Sequence, residues 1–267
     1  MLDRREPVGG LLRQWRQRRR LSQLDLACDA GISTRHLSFV ETGRAQPSRE
    51  MLLHLSEQLD VPVRERNLLL VAAGYAPIFP ERPLGDPTLA AAKSAIDLVL
   101  GRQKPYPAFA LDRQWRVVAS NAALPELYEG VDLLEPPLNA MRLSLHPQGL
   151  APRIVNLAEW RAHLLYRLRR QVELTADRAL IDLLHEVSGY PAAADCCGKT
   201  PNVEQEIAVP FRIRTSVGVL SFFSMTTVFG TPVDVMLSEL ALELFFPADD
   251  DTAAAVHRLA ADARSAN

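Results

Sequence analysis

Residues 21–48 read LSQLDLACDAGISTRHLSFVETGRAQPS. Ser22 stands where a helix N-cap belongs, before QLDLACDA with Leu24 and Ala27 at helical spacing, and Gly31 ends that run. Ser33 is a second cap, opening TRHLSFVET, in which Leu37 and Val40 lie on one face and Gly43 closes the helix. The two helices share a turn of only a few residues around Gly31, with apolar Ile32 just before the second cap. A turn that short sets the second helix at a steep angle and lets it project outward, which predicts helix-turn-helix geometry.

Outward from this pair, Gly10 precedes LLRQWRQRRR, a helix with Leu11, Leu12 and Trp15 on one side. Pro47-Ser48 leads into REMLLHLSEQLD, and Pro62 into RERNLLLVAAGY. The expectation is an all-α domain of five short helices. Formal charge is -2 over the chain, but residues 1–80 hold twelve Arg and no Lys against nine acidic residues, +3, which leaves -5 for the rest. The densest cluster is Arg13, Arg16, Arg18, Arg19 and Arg20, which reads either as a polyanion-binding face or as a solvated helix face.

At 267 residues, and about 150 residues per domain, two domains are expected. Residues 76–87, APIFPERPLGDP, hold four prolines and a glycine, a linker signature that puts the boundary there: 1–77, a linker at 78–87, and 88–267. A hydrophobic share of 48% with 23% charged residues belongs to a folded globular chain. No apolar run nears the roughly 18 residues that span a bilayer, and MLDRREPVGG has no apolar core of a signal peptide. A cytoplasmic protein with no membrane partner is expected. The three cysteines allow no disulfide framework and lack zinc spacing. Cys28 reads as a small buried thiol. Cys196 and Cys197 lie in a loop-like stretch and are either incidental or oxidant-sensing.

Leu21-Ser22-Gln23, Leu26-Ala27, Gly31-Ile32-Ser33, Leu37-Ser38, Glu41-Thr42-Gly43-Arg44 and Pro47-Ser48 together resemble the Cro/C1-type (XRE) helix-turn-helix family, the lambda-repressor-like domains, over roughly residues 8–76. The geometry and the resemblance imply double-stranded DNA as partner. The helix after Ser22 would point backbone N–H groups at a phosphate, with Gln23 adding a donor. The recognition helix would carry Ser33, Thr34, Arg35, His36 and Ser38 towards base edges, Arg35 being suited to a guanine edge. His36 either meets a base or faces solvent beside the groove. The resemblance further implies that Arg44, Gln46 and Ser48 hold the next phosphates and that Glu41 pairs with Arg16 as a structural contact.

In the second part, PAFALDRQWRVVASNAAL from Pro107 reads as strand, turn, a strand with Trp115, Val117 and Ala119 alternating, and a helix opened by Asn121. Near the other end Ile207/Val209/Phe211/Ile213 and Val217/Val219/Ser221 alternate around a TSVG turn, an antiparallel hairpin. Helical stretches lie between, so an α+β sheet covered by helices is expected, similar to a PAS-like sensor domain.

Pro107-Ala108, Asp112, Trp115, Asn121-Ala122, Asn139, Arg142, His146-Pro147, Trp160, Phe229-Gly230-Thr231-Pro232 and Phe246-Pro247-Ala248-Asp249 resemble the ligand-binding domain of MmyB-like transcription regulators over about 90–255. The resemblance implies a pocket for a hydrophobic small-molecule effector, a fatty acid among the candidates. Phe109, Trp115, Val117, Leu127, Leu143, Phe222 and Met225 are candidate lining, each alternatively ordinary core. Arg142 and His146 would either hold a carboxylate or hydroxyl or serve the fold.

No catalytic constellation is legible. Gly198-Lys199-Thr200 ends like a P-loop, but Ala193 stands where its first glycine belongs. Asp249-Asp250-Asp251 precedes an Ala-rich helix and reads as an N-terminal cap rather than a metal site. No cofactor or metal is expected. The chain reads as a regulator that binds a pseudo-palindromic operator as a homodimer. The competing readings are a constitutive DNA-binding protein with a dimerisation-only second domain, and an enzyme tethered to DNA.

Overall fold

A computed structural model describes residues 6–131, 136–175, 177–191, 209–230 and 234–265. Ile207, the Cys196-Cys197 pair, Gly198-Lys199-Thr200 and Thr231-Pro232 lie outside the described residues. The chain divides into two compact units, Met1–Arg82 with Glu173–Asp177 and Thr231–Ser238, and the remainder.

The first unit begins with α1 (Val8–Arg18), α2 (Gln23–Asp29), α3 (Thr34–Glu41), α4 (Arg49–Gln58) and α5 (Val63–Ala72). Their boundaries follow from local chemistry. The Ser22 Oγ accepts from Asp25 N–H at 3.1 Å and the Asp25 carboxylate accepts from Ser22 N–H at 2.8 Å, a reciprocal cap. Ser33 and Ser48 accept from His36 N–H and Met51 N–H, both at 3.2 Å. Leu12, Trp15, Leu26, Leu37, Val40, Leu55 and Leu69 form a fully buried core. Gly9 permits close approach of α1 to α3: a Cβ there would lie 2.2 Å from Val40 O. The Asn67 side chain accepts from Ile78 N–H and Phe79 N–H, both at 3.1 Å, and so pins the start of the Pro-rich stretch to α5.

Two expectations on α2 change. The helix buries Leu26, Ala27 and Ala30, which leaves Leu24 60% exposed and Cys28 exposed as well. Leu24 and Cys28 are four residues apart and share the outer face, so Cys28 is not a core thiol.

The second unit begins after the Pro-rich stretch with α6 (Ala90–Arg102), β1 (Ala108–Leu111), β2 (Val117–Ser120), α7 (Ala123–Leu127), α8 (Ala140–Leu145), α9 (Leu157–Thr175) and α10 (Arg178–Ser188), the last residues of α9 counting with the first unit. Then come β3 (Phe211–Thr215), β4 (Gly218–Val228), α11 (Val235–Ser238, in the first unit), β5 (Ala241–Pro247) and α12 (Asp250–Ser265). The five strands form one sheet in the order β2-β1-β5-β4-β3, every pairing antiparallel. Early and late strands thus meet at its centre, β1 beside β5, with the intervening helices on its inner face. This is the α+β, PAS-like architecture expected.

The inner face carries Phe109, Phe211, Ile213, Leu220, Phe222 and Phe245 against Trp160, Leu164 and Leu168 of α9. Phe211 lies 5.0 Å from Trp160 and 5.8 Å from Phe245, centroid to centroid. In β4 the buried apolar phase is Leu220/Phe222, whereas Val219, and Val217 in the turn before the strand, are 53% and 43% exposed. Both phases are apolar in sequence, and pairing decides between them: Leu220 lies opposite Ile213 and Phe222 opposite Phe211.

Asn121 does not cap α7. Its side chain accepts from Ala108 N–H at 3.2 Å and donates to Leu100 O and Tyr106 O, bracing α6 to the first strand. Asn139 is the cap, accepting from Met141 N–H and Arg142 N–H at the start of α8. Trp115 sits in the turn before β2 at φ 64°. Asp249 caps α12, accepting from Thr252 N–H at 2.7 Å, and its carboxyl is held below the usual range by hydrogen bonding first to the Thr252 side chain and then to this N–H. No helix among the described residues is long and apolar enough to cross a membrane.

Candidate nucleic-acid interface and ligand groove

In the first unit, the α2-turn-α3 pair is closed by Gly31 at φ 62° and by Ile32 N–H donating to Ala27 O. On α3, Leu37 and Val40 point into the core, while Arg35 is exposed and Thr34, His36 and Ser38 are half-buried. The cap residue Ser33 is exposed. The Arg35 guanidinium lies over the Phe39 ring at 5.3 Å and that of Arg44 at 6.0 Å. His36 Nε2 lies 3.3 Å from Met51 Sδ, so its ring leans on α4.

Several sequence candidates are engaged within the domain. Gln23 Nε2 donates to Glu41 Oε2 at 2.8 Å, which leaves one amide hydrogen for another acceptor. Gln46 Nε2 donates to Ala73 O at 3.1 Å, and the Ser48 hydroxyl is used as a helix cap. Glu41 is buried and takes two donors from Arg16, Nε at 2.7 Å and Nη2 at 2.9 Å. The pair keeps Arg16 above its ordinary value, chiefly through the hydrogen bond to Glu41.

The arginine cluster of α1 is therefore not one anion-binding face. Arg16 is held by Glu41, Arg19 donates to Leu59 O and Asp60 O, and Arg18 lies over Trp15 at 4.9 Å. Desolvation lowers the pKa of Arg18. Only Arg13 and Arg20 of that run are exposed without such contacts among the described residues.

In the second unit, a half-open groove of about 660 Å³ is lined by buried Leu127, Leu220, Phe222 and Val256 and by Leu259, with the more exposed Arg153, Arg214 and Glu129 at its rim. Its volume falls in the range of roughly 300–1,000 Å³ common for small-molecule sites. Arg153 is oriented by donating Nε to Arg214 O and Nη1 to Glu129 O. A smaller apolar cavity of about 40 Å³ lies deeper, lined among others by Phe109, Val117, Leu143, Trp160 and again Leu127. Leu127 borders both spaces.

Phe109, Val117, Leu127, Leu143 and Phe222 therefore line one cavity or the other. Trp115 and Met225 line neither. Trp115 donates Nε1–H to Gln171 Oε1 at 2.7 Å and lies under the Arg167 guanidinium at 4.9 Å, while Arg167 bonds Glu243 on the sheet. Met225 is 61% exposed because it is three residues from Phe222 and strand side chains alternate.

Arg142 and His146 join a peripheral cluster instead. Arg142 is bidentate to Glu186, both bonds 2.7 Å, and His146 packs edge-on against Tyr190 at 4.9 Å. Arg142 holds the Glu186 carboxyl below its usual range, and burial with the Glu186 contact pushes Tyr190 up to about 12. Arg153, Arg214 and the α12 pair Val256/Leu259 were missed from sequence. The available signals were the Arg-Ile-Arg alternation of β3 and the three-residue apolar spacing in the Ala-rich tail.

Among the described residues, no group of three or more His, Cys, Asp or Glu is placed to hold a metal ion. A helix-turn-helix domain family matches residues 7–69, and the family described as the MmyB-like transcription regulator ligand binding domain matches residues 92–259. No curated protein matches the chain. With more than half of its length matched by the second family, the chain belongs to the MmyB-like transcription regulators, DNA-binding regulators that carry a separate ligand-binding-type domain after the helix-turn-helix.

Proposed function

We propose that the protein is an effector-responsive transcription regulator that binds a pseudo-palindromic operator as a homodimer and changes its DNA affinity when a hydrophobic molecule, with fatty acids as first candidates, occupies the groove of the second domain. In this reading residues 1–77 read DNA, 78–87 link and 88–267 sense and dimerise. Arg35 reads a base edge, helped by Thr34, His36 and Ser38, and Arg44 and the loop amides near Gln46 and Ser48 meet phosphates. The observation that carries it is the groove itself: an apolar floor with two arginines, Arg153 and Arg214, against one acid, Glu129, at the rim suits an apolar chain ending in an anion.

The test is operator affinity of the full chain at fixed salt, with and without saturating medium- or long-chain fatty acid. Salt must be fixed because phosphate contacts make affinity steeply salt-dependent. Coupling is reciprocal, so operator must change fatty-acid affinity by the same factor, typically about 5–150-fold. Fatty acids that bind and leave operator affinity unchanged would favour the dimerisation-only reading. That reading draws on the exposed Phe223, Met225 and Phe246 of the outer sheet face.

A further inference from the structure

Phe39 has no assigned role, yet two arginines converge on it. Arg35 is one helical turn earlier on α3 and its guanidinium lies 5.3 Å from the ring centroid; that of Arg44, from the following loop, lies at 6.0 Å. The backbone brings the second arginine there. Gly43 takes φ 74°, the left-handed conformation open to glycine, and the chain turns back so that Arg44 N–H and Ala45 N–H both donate to Phe39 O, at 2.8 and 3.1 Å. Neither guanidinium forms a hydrogen bond or ion pair with another described residue.

We propose that Phe39 is a positioning residue for DNA recognition, its ring holding the Arg35 and Arg44 guanidinia in place before DNA arrives. The inference rests on the reading of those two arginines as DNA contacts. A guanidinium over a ring is held through its charge and spends no N–H donor, so its donors remain open to a guanine or a phosphate in the same complex. A stacked arginine has already given up much of the side-chain freedom that binding would otherwise remove. Arg16 and Arg19 show the contrast: each donates N–H bonds within the domain, Arg16 to Glu41 and Leu21 O and Arg19 to Leu59 O and Asp60 O.

The experiment uses the full chain, a duplex it enriches from a random-sequence pool, and unselected duplex, at one salt concentration. A cation–π contact at an exposed site corresponds to about two- to fivefold in an equilibrium constant. Phe39→Leu is expected to weaken binding to the enriched duplex about fivefold or more, and Phe39→Tyr to restore it to within about twofold. In an Arg35→Ala background the effect of Phe39→Leu should shrink, because one of its two clients is gone. A purely structural residue would cost the same in both backgrounds. Phe39→Met, which keeps apolar bulk without a π face, serves if the leucine variant fails to fold. Wild-type affinity in the leucine and methionine variants, or an equal loss in both backgrounds, overturns the proposal. If Arg35→Ala and Arg44→Ala both bind like wild type, the DNA-contact reading has failed and the proposal falls with it, an outcome the single-arginine variants report separately.

Discussion

Arg16 and Glu41 are 25 residues apart in sequence and joined by two parallel hydrogen bonds of 2.7 and 2.9 Å, with Glu41 side-chain exposure only 1%. The pair clamps the first helix to the end of the recognition helix, and Gln23 adds a third donor from α2. Three of the five helices of the first unit, α1, α2 and α3, thus share one carboxylate.

Removing one partner leaves a buried charge without compensation. Glu41→Ala is expected to destabilise the first domain by about 3–5 kcal/mol, whereas breaking an exposed pair such as Lys93–Asp97 costs about 0–1 kcal/mol. Thermal or denaturant unfolding of both variants checks the difference. A change at Glu41 no larger than at Lys93 would remove the clamp from the account of stability.

Arg35→Ala and Arg44→Ala should differ in kind. Loss of a base-edge contact costs about 1–3 kcal/mol of discrimination, so Arg35→Ala weakens selected duplex far more than random duplex. Loss of a phosphate contact weakens both alike and reduces the slope of log affinity against log salt by about one. Titrations on both duplexes at several salt concentrations separate the two. Parallel losses for Arg35→Ala would move it to the phosphate class.

Ala123 borders the groove at the start of α7 and is half-buried. Ala123→Phe should fill part of the apolar volume and abolish binding of a fluorescent fatty acid while leaving the melting temperature within a few degrees, because the added ring enters the open groove and escapes the overpacking that costs about 1–3 kcal/mol in a well-packed core. Arg214→Ala should instead weaken a fatty acid more than the corresponding alcohol, since only the acid brings a charge to the rim. Competition titrations with the two chain types measure this.

His163 stacks on Trp160 with centroids 5.5 Å apart, and burial followed by the nearby Arg167 charge lowers its pKa. The unfolded chain then binds a proton more readily than the folded one, so stability falls as pH drops through the ordinary histidine range near 6.5. His163→Gln should lose less of its melting temperature than wild type between pH 7.5 and pH 5.5, a window that brackets the ordinary histidine value from which His163 is lowered. Identical pH dependence in the two proteins would show that protonation there is not coupled to folding.

Much of this was legible in the sequence because the deciding signals act over a few residues. Serine caps at positions 22, 33 and 48 satisfy amides three residues on, glycines 31 and 43 end helices by their own conformation, and apolar spacing marks the helix faces. The strand-turn-strand start and the late hairpin were readable by alternation for the same reason. The tertiary structure alone decided which side chains are spent. Five arginines in eight residues look alike in sequence, but acceptors at 41, 59 and 60 engage Arg16 and Arg19, and the Trp15 ring lies under both Arg18 and Arg19, while Arg35 and Arg44 make no such hydrogen bonds to described residues. The alternation of Val217 and Val219 likewise does not mark the core face, because Phe211 and Ile213 lie opposite Phe222 and Leu220, which are the buried pair. The groove joins Leu127, Arg153, Arg214 and Leu259, residues from a helix, a single 3-10 turn (Ala151–Arg153), a strand and the last helix. No local rule links positions so far apart in the chain: hydrogen-bond partners and cavity walls are chosen by packing between elements, whereas caps and periodicity are chosen within them.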